Sequence, residues 1–275
     1  MPNSSRVVLL TGAAGGIGKV MTQALLADGH RITAVDRDAG RLDQLKALPG
    51  AGERLHTVTA DLGTEAGCLA AVEAARSRFG GIDAVVNNAG IGMSAIRPDA
   101  EARHPGIDEL SPEIWDRFFS IFVRAPVTIT RAALPSMKQR GFGRVVNNTT
   151  SYLTMLRVLP YGSAKAALES MSAVWASELQ SSLVTVNVLV PGGPTDTPLI
   201  SDGSGWDRSK MLRPEIMGPP IRFLLSEESA GFNGKRITAA RWDVALAPAE
   251  AAARASRAIG WPELSSDAVW LTAKP

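Results

Sequence analysis

Tyr161 and Lys165 stand four residues apart in a stretch, Pro160 to Gln180, whose pattern predicts a helix. At that spacing both side chains leave one helical face. A phenol with a pKa of about 10 is a poor base at neutral pH, and a nearby ammonium favours the phenolate. Each unit of lowering takes roughly 1.4 kcal/mol, within reach of a close, partly desolvated charge. The pair therefore suits proton transfer at an oxygen. A second set is Thr11-Gly12-Ala13-Ala14-Gly15-Gly16-Ile17-Gly18. Here Gly12, Gly16 and Gly18 keep Cβ atoms out of the way of a pyrophosphate, and Ile17 opens a helix whose first amides attract anions. The third is Asp36. An acid at that distance accepts hydrogen bonds from ribose hydroxyls and repels a 2′-phosphate, which points to NAD. Arg37 could bind that phosphate, so NADP is the alternative.

These residues need a frame that holds them. Arg6 to Thr11, Arg31 to Asp36, Leu55 to Ala60 and Ile82 to Asn87 read as strands, with helices from Ile17 to Asp28, Arg41 to Leu48 and Thr64 to Phe79 between them. Strands are also predicted at Arg144 to Thr149, Val184 to Val190 and Lys235 to Ala239. Ser111-Pro112-Glu113 is an N-cap with Pro at the first helical position, opening a long helix to about Arg140. This alternation implies an α/β fold with a parallel sheet, right-handed crossovers and strands buried on both faces. Met93 to Leu110 and Thr195 to Pro219 are long polar excursions of the kind used as lids. No linker divides the chain, so one domain over 1–275 is expected. A C-terminal extension begins at about residue 241, with Trp242, Trp261 and Trp270 to bury against its own domain or a neighbouring subunit.

The composition narrows the function. A formal charge of +2 over 275 residues, without a basic block, does not suggest a nucleic-acid partner. No apolar run approaches the roughly 20 residues of a membrane span. The start is short and polar, which leads to a cytoplasmic expectation. Cys68, the single cysteine, reads as a buried structural thiol. His30, His56 and His104 have no metal spacing; His30 and His56 are expected at the surface, and no metal is expected. A small-molecule substrate is the partner these features favour.

TGAAGGIG at 11–18, Asp61-Leu62, Asn87-Asn88-Ala89-Gly90, Tyr161-Gly162-Ser163-Ala164-Lys165 and Pro191-Gly192 occur in the order found in short-chain dehydrogenases/reductases. The chain resembles that family from residue 6 to about 240. The resemblance implies a Rossmann-type, doubly wound parallel sheet of about seven strands with helices on both faces, and a nicotinamide cofactor. It implies that Asp61 contacts the adenine beside Leu62. Asn88, Ala89 and Gly90 would line the cofactor, and the loop after Pro191-Gly192 would meet the carboxamide through Thr197 or, because the loop is one residue longer than usual, Thr195. Tyr161 would be the acid–base, and Lys165 would tune it and hold the nicotinamide ribose. Thr150, with Ser151 as the alternative, would bond the substrate oxygen. Homodimers or homotetramers are also implied.

One position departs from the family. Trp115-Asp116-Arg117-Phe118-Phe119-Ser120-Ile121-Phe122-Val123 places Phe122 where the family has a catalytic Asn. A phenyl ring cannot hold the water that relays protons from the lysine, which leaves Ser120, Asn147 or Asn148 as substitutes. Met93, Met155, Leu156, Leu159, Trp206 and Met211 in the loops favour apolar or cyclic substrates. The expected activity is hydride transfer between NAD(P) and an alcohol or ketone; the alternative is a dinucleotide-binding regulator or scaffold without turnover.

Overall fold

The computed structural model describes residues 5–263. Its strands are β1 (Val7–Thr11), β2 (Arg31–Asp36), β3 (Leu55–Thr59), β4 (Ala84–Asn87), β5 (Gly143–Asn148), β6 (Val184–Val190), β7 (Lys235–Thr238) and β8 (Ser256–Ala258). The helices are α1 (Gly16–Ala27), α2 (Ala39–Leu45), α3 (Glu65–Phe79), α4 (Pro112–Phe119), α5 (Ala125–Arg140), α6 (Tyr152–Met155), α7 (Tyr161–Glu178), α8 (Gly218–Leu225) and α9 (Pro248–Ala255). The sheet order is β3-β2-β1-β4-β5-β6-β7-β8, with β1 to β7 parallel. All seven expected strands are present. The eighth, antiparallel to β7, is new: in the C-terminal extension α9 ends at Ala255 and the next three residues pair with the sheet edge.

Strands β1, β5 and β6 are buried at every residue, as parallel strands covered on both faces must be. Val8 and Leu10 face a core built with Met21, Leu25 and Ile221 from α1 and α8. Leu9 and Val145 face the opposite core, with Val72, Ile129 and Ala176 from α3, α5 and α7. Cys68 lies in that second core and burial pushes its thiol up to about 11. His30, expected at the surface, is fully buried: its Nδ1 accepts the Arg6 amide at 3.1 Å, and burial lowers its pKa.

Ser111 caps α4 through the Ile114 amide, with Pro112 in the first turn. The long helix continues to Arg140, but Ser120–Arg124 widens to a π turn. Pro126 has no N–H to offer the Phe122 carbonyl four residues back, so the regular ladder cannot pass this point. The two polar excursions are tied together, since Ser201 Oγ donates to the Pro98 carbonyl at 3.1 Å and lies 3.1 Å from Glu101. Trp242 packs on Phe223 and Trp261 on Tyr152, so both cover their own domain. Trp270 lies outside the described residues.

Candidate active site

The residues singled out by sequence follow the C-terminal ends of β1 to β6, and the strand order reverses between β1 and β4. A ligand crevice in a doubly wound sheet forms at such a point. Gly12 lies in left-handed backbone with φ +62°, and a Cβ there would come 2.7 Å from Ala89 Cα. A Cβ on Gly18 would penetrate the Gly12 carbonyl, and one on Gly16 would come 2.6 Å from Thr197 Cγ2. Helix α1 begins at Gly16 with no side-chain cap and no acid in its first turn. An uncapped helix start preceded by a Cβ-poor turn fits a dinucleotide pyrophosphate.

Thr11, which the sequence reading passed over, clasps this turn to the next strand. Its Oγ1 accepts from the amides of Asn88 and Ala89, both at 3.0 Å, while the Asn88 amide side chain donates to the carbonyls of Thr11 and Gly12. Its position at the strand end, before the first glycine, was the available signal. Asp36 ends β2 and accepts from Ala14 N at 3.1 Å and Asp38 N at 3.2 Å; Arg37 beside it is exposed. Asp61 is exposed and accepts from Gly63 N, whereas the Leu62 side chain is in the core. Gly192 has φ +106°, and a Cβ there would meet Thr238 Cγ2 at 2.7 Å. The carbonyl of Pro191 accepts from Ala240 N. In the following loop Thr197 lies over Gly16, while the Thr195 hydroxyl turns back to the Gly193 carbonyl.

Tyr161 and Lys165 occupy the first two turns of α7, facing the end of β5. The Thr150 side chain lies beside Tyr161, where its hydroxyl favours the phenolate. The Ser151 hydroxyl caps α6 at the Thr154 amide, 3.1 Å away. Lys165 Nζ donates to the Asn148 carbonyl at 2.6 Å and lies 4.4 Å from the centre of the Phe122 ring. That ring meets Tyr161 edge to face, with centroids 5.2 Å apart, and fills the space that the missing Cβ of Gly90 leaves.

The electrostatics differ from the sequence expectation. Burial pushes the Tyr161 phenol up to about 12, with the neighbouring Thr150 hydroxyl acting the other way. Burial also pushes Lys165 down to about 7. Desolvation outweighs the anticipated help of the ammonium because Nζ is 5.8 Å from the Tyr161 ring centre and its own charge is penalised. Of the three substitute relay groups, only Asn148 touches Lys165. Ser120 Oγ donates to the Arg117 carbonyl, and the Asn147 side chain spans Asn87 and Ser172. Met93, Met155 and Met211 are buried packing residues, while Leu153, Leu156, Leu199 and Trp206 are exposed. Among the described residues no His, Cys, Asp and Glu group could hold a metal, and no helix is long and apolar enough to cross a membrane.

A parallel sheet with a glycine-rich first turn and a Tyr–Lys pair after its fifth strand defines a Rossmann-type oxidoreductase. The short chain dehydrogenase profile matches residues 6–206, and the chain belongs to that NAD(P)-dependent family. It is 33% identical to the D-beta-hydroxybutyrate dehydrogenase of Cupriavidus necator, over 72% of this chain and 73% of the relative. The 3-ketoacyl-(acyl-carrier-protein) reductase of Brucella melitensis, solved with NADH, superposes with a TM-score of 0.71 at 27% identity, covering 85% of this chain and 95% of that one. The L-sorbose reductase of Gluconobacter frateurii, solved with NADPH and L-sorbose, gives 0.71 at 28%, covering 85% and 94%.

Proposed function

We propose that this protein is an NAD-preferring dehydrogenase/reductase that interconverts an alcohol and a ketone, with apolar or cyclic substrates favoured. The observation that carries the reading is the convergence of Tyr161, Thr150 and Lys165 beside a turn that fits a dinucleotide. The Gly12–Gly18 turn would hold a nicotinamide cofactor, which would supply or take the hydride. In reduction, the Tyr161 O–H gives its proton to the substrate oxygen while the Thr150 hydroxyl orients that oxygen. A phenol at about 12 keeps its proton at neutral pH, which suits this direction. In oxidation Tyr161 must lose the proton, and a charged Lys165 then stabilises the phenolate. Asp36 at the end of β2 supports NAD, and the relatives' solved complexes include both cofactors. The exposed apolar residues Leu153, Leu156, Leu199 and Trp206 support apolar substrates. Assembly into dimers or tetramers belongs to the same reading.

A panel of alcohols and ketones followed at 340 nm with both cofactor forms tests the reading. Turnover faster with NAD(H) is expected. Phe122 favours a second reading, a cofactor-binding regulator, and bound NADH with no turnover across the panel would establish it in place of the first.

A further inference from the structure

Behind Thr150 lies a buried charge cluster to which the reading above gives no role. Arg236 on β7 is 6% exposed and Glu169 on α7 is fully buried; Nη1 and Oε2 are 2.6 Å apart. Glu169 follows Lys165 by four residues and Tyr161 by eight, so it extends the same helical face one turn deeper. The other Arg236 nitrogen, Nη2, donates to the backbone carbonyl of Thr150, and Nη1 also reaches Thr149 Oγ1 at 3.1 Å. Thr149 Oγ1 in turn donates to Glu169 at 2.7 Å. The second Glu169 oxygen accepts from Tyr152 OH and Gly260 N, each at 3.3 Å, while Tyr152 OH lies 2.7 Å from the Gly260 carbonyl. The guanidinium stacks over the Tyr152 ring at 4.3 Å.

An ion pair this deep gains little net stability over an apolar pair of the same shape. What it provides is a fork of fixed direction, which a guanidinium supplies and an ammonium does not. One tine holds Glu169. The other holds the peptide of Thr150, whose side chain lies beside Tyr161. We propose that Arg236, oriented by Glu169, is a positioning residue that sets the Thr150 hydroxyl against Tyr161, and that the Gly260–Trp261 segment beyond β8 completes its seat. The consequence rests on the assignment of Thr150 above, since the hydroxyl must be used for its placement to affect turnover.

The chain has two tyrosines, Tyr152 and Tyr161, so 13Cζ-tyrosine NMR gives two resonances, and Tyr161→Phe assigns them. The main variant is the double substitution Glu169→Gln with Arg236→Met, which removes both charges without stranding either. The Tyr161 resonance should shift at pH 8, NADH affinity should stay within about twofold, and kcat on the best panel substrate should fall about tenfold or more with a smaller change in KM. Arg236→Lys retains the charge but not the fork; it should shift the same resonance and recover part of kcat. If the double variant does not fold, Arg236→Lys decides alone. A folded variant with unmoved Tyr161 resonance and unchanged kcat overturns the proposal and leaves a structural ion pair. A shifted resonance with no turnover in the wild type supports the positioning of Thr150 while removing the catalytic reading.

Discussion

The two halves of the proposed active site are made of different material. The nucleotide side is built from backbone: glycines without Cβ atoms, amides at the start of α1, amides held by the Thr11 hydroxyl and carbonyls held by the Asn88 side chain. The catalytic side is built from side chains, with a phenol, an ammonium, a hydroxyl and the Phe122 ring packed together out of water. Sterics fix the first and change little with pH. Desolvation governs the second, so its groups titrate far from their ordinary values. Backbone sites should fail by losing shape, side-chain sites by losing protons.

Tyr161→Phe is the sharpest cut between the halves. Ring volume and the edge-to-face contact with Phe122 survive, but the proton does not. Turnover at 340 nm should drop by roughly 10²-fold or more, while NADH binding, read by fluorescence titration, stays near wild type. Equal loss of binding and turnover would mean that the two sides are not separable. On the nucleotide side, Asp36→Ala removes a carboxylate that the Ala14 and Asp38 amides now hold. Calorimetry should show NAD affinity weakened by several-fold and NADP discrimination relaxed. A wild type that already prefers NADP would pass the selecting role to Arg37.

The same division explains what could be read in advance. The glycine turn and seven strands were legible because local sterics demand glycine at Gly12 and Gly18, and parallel strands demand continuous apolar runs. The Tyr161–Lys165 pair was legible as an i, i+4 spacing. The direction of their pKa shifts was not, because it is set by burial under elements distant in sequence, the Phe122 ring among them. Arg236 and Glu169 are 67 residues apart in sequence and met only through the sheet. Strand β8 was missed because three residues after a helix carry no period.

Phe122→Asn tests whether the catalytic side lacks a relay. Asn would set a donor and acceptor beside Lys165 in place of the ring, and turnover at neutral pH should rise by less than the roughly 10²- to 10⁴-fold of a complete acid–base. Losing a buried ring that contacts Tyr161 and fills the space at Gly90 costs about 3 kcal/mol or more, so thermal melting must accompany the kinetics. A folded variant that turns over no faster would place the proton route elsewhere, with the Asn148 carbonyl at Lys165 the next group to consider.

The smallest effect is thermodynamic and concerns Lys165 alone. Its folded pKa is about 7 against 10.5 for the ordinary side chain. Between those values the unfolded chain holds a proton that the folded protein has released, so stability must rise with pH, by at most about 1.4 kcal/mol per unit. Tyr161, raised to about 12, and Cys68, raised to about 11, act with the opposite sign, but only above their ordinary values of 10.0 and 9.0. The interval from pH 7.5 to 9 is therefore governed by the lysine. Urea midpoints for the wild type should climb across it, and Lys165→Met, which keeps an apolar chain of similar length, should flatten the climb. If the wild-type midpoints are level and the variant is no flatter, Lys165 keeps its proton in the folded protein, and the two halves of the proposed active site are alike in their indifference to pH.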